Sequence, residues 1–207
     1  MKLGKKRFSK PHFLRSDLMK TEKEKMLAGE IFKVYDPELV RERRYARKLV
    51  ERLNAVGELN PEAREEFVRQ LFGHVGKNSE VHPQFKCDYG YNIYVGDDFF
   101  ANYDCVMLDV SPIRIGNHCL LGPRVQLYTV NHPLAPQLRR NGAYGQSKNI
   151  TLGNNVWVGG GAIICPGVTL GNNVIVGAGS VVTKSFGDNV IIAGNPARVI
   201  KENPNKE

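Results

Sequence analysis

Residues 150 to 185 carry a hydrophobic pattern that repeats every six residues. The third place of every six is aliphatic, and the first place is small or branched. The third-place residues are Leu152, Val158, Ile164, Leu170, Val176 and Val182, and the first-place residues are Ile150, Val156, Ala162, Val168, Val174 and Ser180. A half-buried strand repeats every two residues and an amphipathic helix about every 3.6 residues. A period of six, with Gly or Asn between the aliphatic residues, is typical of a parallel β-helix.

Each six residues predicts one short strand and one turn, so three strands close a triangular coil of about 18 residues. The aliphatic places stack in the interior, and Gly and Asn take corners where φ is positive. Sixes also begin at Ile93 and are interrupted once, by Ser111-Pro112. The irregular stretch 73–90 predicts the entry of the chain into a first coil.

One long excursion, over 131–149, separates the two runs of sixes and contains a His-Pro pair. Insertions in repeat arrays are often found on the working face. The excursion is therefore either a functional loop or a tolerated surface insertion, and the pattern alone leaves both open.

A helical pattern precedes the sixes. Thr21 and Glu24 predict a capping box, and Asp36-Pro37 and Asn60-Pro61 each predict an N-cap followed by Pro at the first helical position. Three short amphipathic helices bury little by themselves, so we expect them to pack against the coil.

These patterns predict a mainly β protein with a small N-terminal α-helical region. We divide the chain into a basic flexible leader (1–18), the helical region (19–73), a β-helix with an inserted loop at 131–149 (74–185), and a C-terminal segment that leaves the β-helix (186–207).

The formal net charge of the chain is +8, but it is unevenly distributed. Residues 1–18 contain six basic residues and one acid. The remaining residues therefore carry only a small surplus of positive charge. A charge cluster of this kind is more often a solvated arm than a phosphate-binding tail. We therefore expect no nucleic-acid partner, whereas the modest surplus in the body suits an anionic cofactor.

The four cysteines contain no C-x-x-C pair, and a chain of 207 residues needs no disulfide staples. We interpret them as small packing residues in a reducing cytoplasm. The leader lacks an apolar region of the kind found in secretory signals, and no apolar run reaches the length of a membrane span. These features predict a cytoplasmic protein without a membrane partner.

Several motifs resemble the hexapeptide-repeat sugar O-acetyltransferases, a family that includes maltose, galactoside and nodulation acetyltransferases. The motifs are the NHP loop, the NNVWVGGGAIICPGVTLG block, the closing AGNPARVIK, the opening TEKEKMLAGEIF and the stretch FFANYDCVMLDVSPIRIG. The last two are most similar to the maltose O-acetyltransferase branch. The resemblance covers about residues 20–201.

The resemblance implies a left-handed coil, a homotrimer with active sites between subunits, and acetyl transfer from acetyl-CoA to a sugar hydroxyl. His132 matches the family's catalytic base. A sugar hydroxyl is a poor nucleophile at neutral pH, and an imidazole can remove its proton as it attacks an activated thioester. Gly160 matches the main-chain N–H donor that faces the developing oxyanion.

For the acceptor, the resemblance implies contacts from Asn102, Asp109 and Phe100. The galactoside branch has two consecutive acids where this chain has Asp109-Val110, and a Tyr where it has Phe100. These differences favour a glucose-like or maltose-like acceptor. The repeat pattern alone predicts only that Asn102 forms a turn at a coil corner.

For coenzyme A, the resemblance implies contacts along the later coils and the C-terminal segment. Small residues let the pantetheine arm approach the main chain, and cations meet the phosphates. The matching positions are Ala178, Thr183, Lys184, Arg198 and Lys201. Trp157 either walls the acyl channel or covers the coil.

Two alternatives stay open, and the spacing of the histidines argues against a third. Transfer to another acceptor, such as a galactoside, a lipo-oligosaccharide, a xenobiotic or an amino acid, keeps the same chemistry. A catalytically silent trimeric scaffold keeps only the fold. A zinc site of the gamma-class carbonic anhydrase type requires three histidines, two of them close in sequence, and His82, His118 and His132 lack that spacing. We therefore expect no metal.

Overall fold

The structure, a computed structural model, describes residues 20–56 and 59–204. The leader predicted at 1–18 lies outside the described residues. The helices within these ranges are α1 (Glu22–Leu27), α2 (Pro37–Ala55), α3 (Pro61–Leu71) and the short α4 (Pro136–Arg139), followed by a 3-10 turn at Arg140–Gly142. No helix in this part of the chain has the length and apolarity needed to cross a membrane.

The three predicted helix starts are confirmed. Thr21 and Glu24 form a reciprocal capping box at α1. Asp36 caps α2 by accepting hydrogen bonds from two backbone N–H groups, and Asn60 caps α3 by accepting one from Ala63. The buried faces of α2 and α3 join the same hydrophobic core as the first coils, so the helices close one end of the β-helix.

Residues 74–130 and 150–202 form a left-handed parallel β-helix of about six turns. Its first sheet contains β2 (His74–Val75), β5 (Ile93–Val95), β8 (Ile113–Ile115), β13 (Ile150–Leu152) and β16 (Thr169–Leu170). Its second sheet contains β3 (Glu80–Val81), β6 (Phe100–Ala101), β9 (Leu120–Leu121), β14 (Trp157–Val158), β17 (Ile175–Val176), β19 (Val190–Gly194) and β20 (Ala197–Glu202). Its third sheet contains β4 (Lys86–Cys87), β7 (Val106–Leu108), β10 (Gln126–Tyr128), β15 (Ile163–Ile164) and β18 (Val181–Val182).

Both hydrophobic columns predicted from the sixes are buried. The third-place residues are at most 2% exposed and the first-place residues at most 1%. Residues 18 apart are paired in register, as in Leu152 with Leu170 and Val158 with Val176. The six-residue period therefore sets the coil length and the composition of the core.

The corner between the first and second sheets is held by a ladder of side-chain amides and carboxylates. At each rung the Oδ1 atom of an Asn or Asp accepts the backbone N–H of the equivalent residue one coil earlier, over 2.7–2.9 Å. The rungs join Lys77, Asp97, Asn117, Asn154, Asn172 and Asp188 in that order. The residue after each of these has a positive φ of 54–57°. His118 is one of them and is therefore a corner residue.

One limit of the solenoid differs from the sequence prediction. At the start, a complete coil runs through β2, β3 and β4, which agrees with the boundary predicted at residue 74, although the sixes begin before Ile93. At the other end, the segment after residue 186 does not leave the β-helix at once. β19 pairs in parallel with β17, and β20 then turns back antiparallel to β19.

The excursion folds into a small sheet with the N-terminal region, which we call the cap sheet. It contains β1 (Phe32–Lys33), β12 (Tyr144–Ser147) and β11 (Val130–Asn131), with β12 in the middle and both pairings antiparallel. The N-terminal region therefore contacts the loop as well as the coils.

Candidate active site

His132 directly follows β11 and is exposed at the start of the excursion. Its Nδ1 atom lies 2.9 Å from the backbone carbonyl oxygen of Tyr144, the first residue of β12. Because a carbonyl can only accept a hydrogen bond, Nδ1 carries a proton, and in the neutral imidazole Nε2 then keeps its lone pair. This is the arrangement that a general base needs.

The corner between the second and third sheets collects three of the predicted site residues: Asn102, Gly160 and Ala178. The N–H groups of Gly160 and Ala178 have no acceptor among the described residues. The Oδ1 atom of Asn102 accepts the N–H of Tyr103 over 2.8 Å, and no acceptor for its Nδ2 group is recorded in the described chain. The corner therefore presents polar donors outward.

Close stacking explains why this corner is built from small residues. A Cβ atom on Gly122 would lie 2.6 Å from the Gly160 nitrogen, and one on Gly159 would lie 2.6 Å from the Ala178 nitrogen. Larger residues at these places would push the coils apart and cover the two N–H groups. The corner can therefore admit a flat chain that binds main-chain donors.

The outer face of the second sheet is an apolar column formed by Phe100, Leu120, Trp157, Ile175 and Ile191. They stack in register through the paired strands. Leu120 is 47% exposed and Trp157 is 52% exposed. The equivalent places on the first sheet hold Tyr94, Arg114, Thr151 and Thr169 and are more polar.

Asp109 does not reach the surface, which corrects the expectation that it binds the acceptor. It is 0% exposed, and its carboxylate accepts backbone N–H groups from Asp88, Tyr89 and Asn92 at 3.0, 2.9 and 3.3 Å. Burial raises its pKa to about 7, although the N–H groups of Tyr89 and Asp88 act in the opposite direction. Asp109 fixes the turn between the first two coils.

The predicted coenzyme A residues Thr183, Lys184, Arg198 and Lys201 are all exposed near the C-terminal end of the solenoid. Arg198 and Lys201 lie on β20, at the edge of the second sheet. Lys184 follows the last strand of the third sheet, and its ammonium lies 5.4 Å from the centroid of the Phe186 ring. The cations therefore occupy two neighbouring faces rather than one cluster.

Two further histidines of the described chain have other neighbours. The ring of His82 contacts Phe100 and Tyr103 edge-on, and His118 lies beside Asp98. Throughout residues 20–56 and 59–204, no group of three His, Cys, Asp or Glu side chains is placed to hold a metal ion.

A single chain does not assemble all the predicted site residues. His132 leaves the coil after the third sheet, at the corner with the first sheet. Asn102 and Gly160 lie at the other end of the third sheet, at its corner with the second. No hydrogen bond joins His132 to either residue in the described part of the chain.

Two contributions to the site are absent from the sequence prediction. The Tyr144 carbonyl belongs to the main chain, so no residue type marks it. The outward apolar column could have been predicted from the sequence. Leu120 and Ile175 occupy the second place of their sixes, where a solvated face would carry polar residues.

Comparison with known proteins identifies the class. Residues 25–76 match the maltose acetyltransferase hexapeptide capping motif, and residues 149–184 match the bacterial transferase hexapeptide motif, with six repeats. Nodulation protein L of Rhizobium meliloti is 44% identical over 88% of this chain and 99% of its own length.

Two solved structures share the fold. The crystal structure of a maltose O-acetyltransferase from Clostridium difficile is 52% identical, with a TM-score of 0.86 over 88% of this chain and 97% of that one. A galactoside acetyltransferase in complex with coenzyme A is 38% identical, with a TM-score of 0.85 over 89% and 92% of the two chains. The chain belongs to the hexapeptide-repeat acetyltransferases that carry the maltose acetyltransferase capping motif.

Proposed function

We propose that this protein transfers the acetyl group of acetyl-CoA directly to a sugar hydroxyl, with His132 as the general base. The observation that carries the proposal is the hydrogen bond from His132 Nδ1 to the Tyr144 carbonyl. It fixes the tautomer of the neutral ring, and Nε2, on an exposed loop, has no hydrogen-bond partner among the described residues.

The chemistry follows from these groups. Nε2 of His132 accepts the hydroxyl proton while the hydroxyl oxygen attacks the thioester carbon. The Gly160 N–H, which has no acceptor in the described chain, stabilises the negative charge that develops on the acetyl oxygen. When the C–S bond breaks, the imidazolium returns the proton to the departing sulfur. No nucleophile of the protein is needed, because the thioester is already activated.

Acetyl-CoA fits the residues that are present. The corner at Gly160 and Ala178 offers two N–H donors and no bulky side chain. Thr183, Lys184, Arg198 and Lys201 are exposed farther along the solenoid, where the cations can meet phosphates. The solved galactoside acetyltransferase complex with coenzyme A, which shares the fold, supports this assignment.

A maltose-like or glucose-like sugar is the proposed acceptor. Asn102 offers a side-chain N–H group, and Phe100 offers an apolar surface beside it. Val110 stands where the galactoside branch carries a second acid, and it is buried in an apolar cluster with Phe32 and Tyr89. The 52% identity to a maltose O-acetyltransferase supports the same choice.

We further propose a homotrimer with its active sites between subunits. One chain separates His132 from Asn102 and Gly160 by the width of the third sheet, so a second copy must bring a base to the donor corner. The apolar column from Phe100 to Ile191 is a surface that association would cover.

The test measures acetyl-CoA-dependent acetylation of glucose, maltose, a galactoside and a chito-oligosaccharide. Loss of a general base lowers kcat by about 10²–10⁴-fold, so we expect His132→Ala to show a fall in this range with the best acceptor. His118→Asn is the matched control, because it removes another exposed histidine and Asn tolerates the positive φ of that corner.

Three results would contradict parts of the proposal. Unchanged activity of His132→Ala refutes the base assignment. A strong preference for the galactoside or the chito-oligosaccharide refutes the acceptor. No acetyl transfer to any acceptor supports the silent scaffold.

A further inference from the structure

We propose that the N-terminal region is a positioning element for the catalytic base, and that Phe32 and Gly145 are its positioning residues. The inference rests on the proposed role of His132. It gives the capping motif at residues 25–76 a part in catalysis besides closing the end of the solenoid.

The cap sheet links the N-terminal region to His132 through one strand. β12 is the central strand, with β1 on one side and β11 on the other. Phe32 pairs with Gly145, and Lys33 pairs with Tyr144, whose carbonyl binds the His132 imidazole. On the other side, β11 ends at Asn131, next to His132. Any displacement of β12 therefore moves the acceptor that orients the base.

Side chains and turns fasten β12 to the N-terminal region at three further places. The Val34 N–H donates to the carbonyl of Ala143 over 3.0 Å, one residue before Tyr144. The buried hydroxyl of Ser147 donates to the carbonyl of Met26 over 2.7 Å. The Gln146 amide donates to the carbonyl of Gly29 over 3.2 Å. An exposed loop thereby gains a rigid middle strand.

The contact between Phe32 and Gly145 determines how closely β1 and β12 approach. A Cβ atom on Gly145 would lie 2.8 Å from Cζ and 2.9 Å from Cε1 of the Phe32 ring. The ring is 2% exposed and packs in a cluster with Met26, Leu39 and Tyr89. Because the ring has little room to retreat, even one methyl group on Gly145 must displace β12.

The Gly145→Ala variant tests the inference. We expect kcat to fall roughly 10- to 100-fold, because displacement of a catalytic group by about 1 Å can cost that much, while KM for acetyl-CoA stays within about twofold. The His132 imidazole provides a second readout: ¹⁵N NMR should show the Nδ1–H tautomer in the wild type and a mixture of tautomers in the variant.

A compensating substitution separates positioning from general damage. Leu in place of Phe32 lacks the ring atoms Cζ and Cε1 that the new methyl group would strike. The double variant Gly145→Ala/Phe32→Leu should therefore recover most of the lost kcat and the Nδ1–H tautomer. Gly187→Ala is the neutral control, since a Cβ atom there meets nothing within 4 Å. If Gly145→Ala does not fold, Phe32→Ala serves instead, with the same expected fall in kcat.

The outcomes are distinguishable from failure of the proposed function. Wild-type kcat and tautomer in Gly145→Ala overturn the inference, and so does a loss of kcat with an unchanged tautomer or without rescue by Phe32→Leu. If His132→Ala is as active as the wild type, the base assignment fails, and the tautomer measurement still reports whether the cap sheet orients the imidazole.

Discussion

The apolar column on the second sheet makes a quantitative prediction about assembly. We consider Leu120→Arg, because Leu120 lies in the middle of the column, is 47% exposed in the single chain and has no assigned role in the chemistry. The substitution should be tolerated by the fold itself, since Arg114 already occupies the equivalent outward place on the first sheet.

The substitution should lower the free energy of association of the trimer rather than the stability of the single chain. Full burial of a Leu side chain stabilises by about 1.5–3 kcal/mol, so covering the exposed half contributes roughly 1 kcal/mol per chain. A buried guanidinium without a partner adds a penalty of several kcal/mol per chain. Summed over the three copies of a trimer, these costs are sufficient to dissociate it at micromolar concentration.

The assay is the molar mass in solution by light scattering after size exclusion, together with acetyl transfer. We expect a trimeric mass for the wild type, a monomeric mass for Leu120→Arg, and loss of activity in parallel. Thr169→Arg is the control, because it places the same charge at an exposed position on the more polar first sheet. A trimeric mass for Leu120→Arg, or dissociation by Thr169→Arg, would show that this column is not the interface.

Two further predictions concern stability and catalysis. The pKa of Asp109 is raised to about 7 in the folded protein, so its stabilising protonated form is lost as pH rises from about 4 through 7. The melting temperature of the wild type should therefore fall relative to Asp109→Asn between pH 5 and pH 8, by the equivalent of roughly 3 kcal/mol at most, and a constant difference across this range would refute it. Gly160→Pro removes the proposed oxyanion donor and should lower kcat by about 10²–10³-fold in steady-state kinetics. Gly160→Ala keeps the N–H group and should lower kcat much less. Equal losses of kcat in the two variants would point to steric damage.

The interior of the solenoid was predictable because it depends on residue type at a fixed period. Leu152 and Leu170 are aliphatic, 18 residues apart and paired, and only a coil of that length places them together. The helix starts were predictable for a similar reason, since Asp36 and Asn60 act on backbone groups two or three residues away.

The geometry of the candidate site was harder to predict because it depends on long-range main-chain contacts. Asp109 lies in the motif that suggested an acceptor ligand, but its carboxylate binds N–H groups about twenty residues earlier in the chain. The Tyr144 carbonyl is set by pairing with Lys33, more than a hundred residues away. Neither contact leaves a local signature in composition or spacing.

The amide and carboxylate ladder at the first corner has a consequence for how such enzymes diversify. Its rungs connect residues 16 to 20 apart, except that from Asn117 to Asn154, which spans 37 residues because the excursion lies between them. The ladder therefore aligns successive coils whatever the number of residues between its rungs, and its N–H···O hydrogen bonds have similar lengths on both sides of the inserted segment. A loop at another corner can be lengthened, shortened or exchanged while the scaffold stays in register. The segment that carries His132 can therefore be replaced without disturbing the coils, both in evolution and in protein engineering.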